Sequence, residues 1–364
     1  MLVFKRGFMM NSTFFITLAL AFCCFLLPAI VYNRVNSHND AAFNSRYLFF
    51  PLCISILIFS VTAFLLFYDS AQFLTSMTML ELVLPLLLSM LIYIIDQRIP
   101  RLTPIAIVIS AGLCASVIPA DALAAITPFP PLYNKLLLTA ACTLFCYIFK
   151  YTNSEDSITL AQAITICAGI SVLGFINAIP LLIGIIALLF VAGFLALFTI
   201  NRYPARAKLS NIDTICIGFI VFALMTWATT ENALGCVIIY NLYLVIDLAI
   251  AFLLWCSFAP QYKNIMQNTA CAQAIRNGIA PENAISFSYR IQLLLLFFGS
   301  FQALSPNKFS LILVSTLITA WLLYRLHDLH PEKQTANDVA RNALEDMQEQ
   351  INDLKQHIDE EDKF

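Results

Sequence analysis

Apolar residues fill eleven long stretches of this 364-residue chain, at about residues 13–32, 48–67, 78–95, 102–119, 136–149, 158–175, 178–200, 212–228, 234–258, 291–304 and 308–324, with short polar segments between them. Most are close to the roughly 20 residues that carry an α-helix across a bilayer, and they are too long and too continuously apolar for barrel strands. A backbone in hydrocarbon must satisfy its own hydrogen bonds, so the pattern predicts helices throughout. The predicted fold class is an all-α polytopic integral membrane protein with about 11 transmembrane helices, residues 1–325 forming the bundle and its loops. The first stretch follows Lys5 and Arg6, as a signal peptide would. Its length and the stretches behind it favour a retained helix.

The cations between the stretches give the bundle two sides. The segments after the odd-numbered stretches hold Arg34, Arg46, Arg98, Arg101, Lys150, Arg202, Arg206, Lys208, Lys263, Arg276 and Arg290, whereas those after the even-numbered ones hold Lys135 and Lys308. Cytoplasmic loops carry the excess of Lys and Arg, so the odd segments are expected in the cytoplasm, with the N-terminus outside and the C-terminus inside. Lys5 and Arg6 point the other way and are outnumbered.

Beyond residue 325 the chain becomes polar and acidic, and residues 326–364 read as a cytoplasmic C-terminal amphipathic helix. Leu344, Met347, Ile351, Leu354 and Ile358 alternate spacings of three and four, an a/d seam. So short a seam leaves two readings open: a solvated helix, or self-association or a protein partner engaged through residues 339–358.

Composition narrows the function classes. With 60% hydrophobic and 12% charged residues, the chain lacks the polar surface of a soluble domain of this length. A net charge of -2 without a basic stripe argues against nucleic acid as a partner and leaves the lipid bilayer as the surroundings. Most of the 11 cysteines lie inside apolar stretches without a CxxC spacing, so they read as reduced, small hydrophobes. Asp247 stands near the middle of the ninth stretch, where a charge costs on the order of 3 kcal/mol. It is expected either to anchor a substrate cleft or to join helices, with Asn241 or Tyr240 as partner.

The odd segments carry an ordered set of motifs. Asn201, Arg202, Tyr203, Pro204, Ala205 and Arg206 are followed, after three residues, by Ser210, Asn211, Ile212, Asp213 and Thr214, and then by Gly218 and Phe219. This run resembles the metal-binding loop of the polyprenyl-phosphate N-acetylhexosamine-1-phosphate transferases (glycosyltransferase family 4), which reads N-x-x-P-A-R, three residues, G-D-x-G-S, three residues, G-F. Ile95, Asp96, Gln97 and Arg98 look like the family's L-I-D-D-R. Asn153 to Asp156, followed by Leu160 and Ala161, look like its N-F-M-D-G-I-D-G-L-A with one residue fewer. Residues 33–38 (NRVNSH) are similar to its N-x-R-S-x-H. Asp247 stands where the family has an Asp. The resemblance spans about residues 30–300.

The resemblance implies a helical bundle with a polar cytoplasmic cleft in a bacterial inner membrane. It implies an Mg²⁺-dependent transfer of sugar-1-phosphate from a UDP-sugar to a polyprenyl phosphate, releasing UMP. Carried over position by position, Asp96 and Asp156 are the catalytic candidates. Asn153, Asn201, Arg206, His38 and Asp247 are the substrate-binding candidates, and Asp213 and Asn211 the metal candidates. A cation held by carboxylates would offset the repulsion between two phosphate-bearing substrates.

The departures fall on that chemistry. Asn211 replaces the metal-loop Asp, Gln97 the second Asp of a pair, and Ser210, Asp213 and Ser157 replace glycines. Residues 262–290 hold no His, where the family has one. Two functions therefore stand side by side: a working transferase with an altered site, and an inactive relative that binds or regulates a partner in lipid-linked glycan synthesis. A transporter would show internal repeats and paired polar residues at midplane, and no repeat is visible.

Overall fold

The computed structural model describes residues 16–30, 49–67, 76–118, 129–152, 157–203, 205, 209–231, 233–256, 268–305 and 308–327. Among these residues every regular element is helical. In chain order they are α1 (Ile16–Ile30), α2 (Phe49–Phe67), α3 (Ser76–Arg98), a 3₁₀ turn (Pro100–Leu102) leading into α4 (Thr103–Val117), α5 (Pro131–Thr152), α6 (Ile158–Phe175), α7 (Leu181–Asn201), α8 (Asn211–Thr230), α9 (Leu234–Cys256), a short α10 (Ala270–Arg276), α11 (Pro281–Leu304) and α12 (Lys308–His327).

Eight of these helices are long and apolar enough to cross a membrane, judged by length and composition among the described residues, and the protein is a multi-pass helical membrane protein. The expected count of eleven is met in part, since Ile16–Ile30 and Pro51–Thr62 form shorter apolar segments. In α8, 83% of the apolar window is buried, against 22% in α12, so α8 lies in the middle of the bundle and α12 at its rim. Leu293, Phe297 and Leu317 stay exposed, as lipid-facing side chains do. Trp321 stacks under the Arg325 guanidinium at 5.2 Å near the end of α12, an arrangement suited to a membrane–water boundary.

Hydrophobic segregation cannot by itself drive one apolar helix onto another in lipid, so close packing at small residues matters. Glycines supply it at three places. Gly174 of α6 meets Gly184 of α7, where a Cβ on either would approach the other's Cα to 2.5–2.7 Å, and a tight turn with Asn177 at φ 61° closes the hairpin. The Tyr240 ring of α9 fills the space beside both Gly169 of α6 and Gly299 of α11. Gly218 of α8 lets α5 come so near that a Cβ there would lie 2.9 Å from Phe149 Cβ.

Several helices extend past their apolar stretches. α5 begins at Pro131 instead of 136 and takes in Lys135, and α11 begins at Pro281 instead of 291 and takes in Arg290. Hydropathy places both cations in loops, because it registers where a helix is greasy and not where its backbone bonds begin. The acidic tail from residue 328 onward lies outside the described residues.

Candidate functional site

Four helix ends frame a cleft of about 540 Å³. Asp96 and Gln97 come from the end of α3, Thr103 and Ile107 from the start of α4, Tyr147 and Lys150 from the end of α5, and Ser210 and Asn211 from the start of α8. Segments more than one hundred positions apart in sequence thus meet at one end of the bundle. Asp96 is half-buried, and its Oδ1 accepts a hydrogen bond from the Thr103 hydroxyl at 2.8 Å, which fixes the carboxylate at the lip of α4. Lys150 is likewise half-buried. The Gly218 contact seats Phe149, and so the turn that bears Lys150, against α8.

The segment that resembles a metal loop folds into the start of α8. Ser210 is its N-cap: the Ser210 hydroxyl accepts from the Asp213 N–H at 3.3 Å, while Asp213 Oδ2 accepts from the Ser210 N–H at 2.8 Å and from its hydroxyl at 2.7 Å. This reciprocal pair satisfies donors that a helix start would otherwise leave open. Asp213 is fully buried and its Oδ1 has no hydrogen-bond partner, although it lies close enough to Asp96 for the two carboxyl groups to interact. Asn211, by contrast, is exposed on the cleft wall. Ser210 has φ -76° and Asp213 is helical, so neither position uses the conformation that glycine favours. Ser157 does, with φ 69°.

The other described candidates lie away from the cleft wall. Asn201, buried at the end of α7, accepts the Ser157 N–H on its Oδ1 at 3.0 Å and so ties α7 to the start of α6. The Ser157 hydroxyl in turn bonds Tyr289 of α11. Asp247 is 2% exposed, and its Oδ1 accepts the Ala270 N–H at 2.7 Å, at the first residue of α10. The expected partners Asn241 and Tyr240 bond elsewhere. The Asn241 amide donates to Met225 Sδ and Val237 O, and Tyr240 pairs with Ser300. α10 itself was not foreseen. Gly278 at φ 94°, with the Ile279 N–H reaching back to Ala274 O at 3.1 Å, is the stop signal that marks its end.

His38, Asn153, Asp156 and Arg206 lie outside the described residues. Among the described residues, no group of three or more His, Cys, Asp or Glu side chains is placed to hold a metal ion. The described cleft wall offers Mg²⁺ a single carboxylate, that of Asp96, and shares its space with an ammonium group. That set fits a resident divalent cation poorly. It suits an anion with hydrogen-bonding oxygens better: Lys150 supplies charge, and Gln97, Ser210 and Asn211 supply neutral donors and acceptors. Compared with known proteins, the chain matches no family model and no curated sequence.

Proposed function

We propose that this protein is a divergent relative of the polyprenyl-phosphate N-acetylhexosamine-1-phosphate transferases, and that its cleft receives the phosphate portion of a UDP-sugar or of a polyprenyl phosphate. The observation that carries the reading is the convergence of Asp96 and Gln97 with Ser210 and Asn211 around Lys150. The family resemblance was read from those two segments separately, and a shared cleft is what a common substrate site requires. The left-handed backbone at Ser157, where the family has glycine, supports the same ancestry. In this reading all eleven apolar stretches span a bacterial inner membrane, the N-terminus lies outside, and the cleft opens to the cytoplasm.

Two activities follow from the one cleft, and the donor set favours binding over transfer. The metal-loop carboxylate is the amide of Asn211, and Asp213 is committed to its helix cap. Purified protein with Mg²⁺, undecaprenyl phosphate and UDP-N-acetylhexosamines releases no UMP in this account, yet binds the UDP-sugar saturably. UMP release abolished by Asp156→Ala would establish the working transferase in its place.

A further inference from the structure

Three helices enclose a polar seam inside the bundle, away from the cleft. The Tyr240 ring of α9 lies against both Gly169 and Gly299, which puts those two glycines at one level of α6 and α11. The Ser157–Tyr289 bond shows that α6 and α11 run side by side in the same direction. Seven residues nearer that bond stand Gln162 on α6 and Gln292 on α11. Two helical turns amount to about 10 Å, so the two glutamines share a second level and keep the facing of the first.

Their hydrogen bonding is incomplete. Gln162 Nε2 donates to Tyr240 O at 2.9 Å, but its Oε1 has no partner. Neither amide atom of Gln292 has one, nor has the Thr159 hydroxyl one turn from Gln162. All three residues are at most 2% exposed. The Tyr243 hydroxyl lies near Ser288, whose own hydrogen goes to Ala284 O at 3.1 Å, and makes no well-formed hydrogen bond. A single open polar atom in hydrocarbon surroundings costs free energy. Several on one three-helix seam call for a shared partner.

We propose that the α6–α9–α11 seam is an internal hydration site, with ordered water bridging Thr159, Gln162 and Gln292. The open atoms are neutral and mix donors with acceptors. That suits water, which gives and takes two hydrogen bonds each, and not an anion or a metal ion. The site runs toward the Ser157–Tyr289 bond at the loop end of the bundle, from which water would enter.

Pulsed hydroxyl-radical labelling of the intact protein in detergent, read by mass spectrometry, tests this, because radicals form from water held beside a side chain. Normalised to the intrinsic reactivity of each residue type, Tyr243 should be modified several-fold faster than Phe194 and Phe219, which are equally buried in the apolar core. Equal normalised rates would overturn the proposal. The Gln162→Leu, Gln292→Leu double variant adds a second reading. In a hydrated seam it loses the Tyr243 labelling and melts at a lower temperature. In a dry seam it removes unpaired groups and melts at a higher one, which would also overturn the proposal. Should the double variant fail to fold, the wild-type rates decide.

Discussion

Ser210 and Asp213 illustrate how one short sequence can be read two ways. Here Ser-x-x-Asp before an apolar run both resembles a metal loop and forms a capping pattern, and the structure spends both side chains on the cap. Ser210→Ala is therefore expected to lower stability by about 1 kcal/mol, read as a fall in melting temperature. A Ser210→Ala protein as stable as the parent would remove the capping role. Asp247 supports a parallel prediction. Its replacement by Leu strands the buried Ala270 N–H, at a cost of about 1–3 kcal/mol, whereas Asp247→Asn keeps an acceptor oxygen and should retain most of the stability. Equal losses in the two variants would mean that charge, and not the hydrogen bond, matters there. The cap is legible as a local Ser-x-x-Asp pattern, whereas the Asp247 partnership is not, because it joins a side chain to a backbone N–H of another helix whose position only the packed bundle defines.

At the scale of elements, the apolar stretches placed the helices well, since hydropathy and helix position coincide wherever a helix is lipid-facing or buried. They failed at the polar ends, where α5 and α11 continue as helix beyond the greasy part, and at α10, whose seven residues are too few to show a period. The packing of α5 on α8 depends on Gly218. Gly218→Val should cost about 1–3 kcal/mol through overpacking against Phe149. It should also weaken UDP-sugar binding, because it moves the turn carrying Lys150. Destabilisation without any effect on binding would separate the α5–α8 contact from the cleft.

For the whole molecule, alternation of charge predicted that the odd segments share a side, and the cleft joins members of three of them. Sidedness itself is a prediction of the account. Topology reporters fused after Arg202 should report the cytoplasm, and those fused after Glu231 the exterior. The reverse pattern would put the cleft on the face without nucleotide sugars. What the sequence left open at this scale is whether the cleft holds phosphate, since that depends on Lys150 and Asp96 meeting Asn211 in space. Equilibrium binding of labelled UDP-N-acetylglucosamine to the purified protein measures it directly, beside a Lys150→Ala variant. The account predicts saturable binding that weakens by roughly tenfold or more without the ammonium, in line with the loss of a charge-assisted contact. Binding that is absent in the parent protein, or equally tight without Lys150, would contradict it.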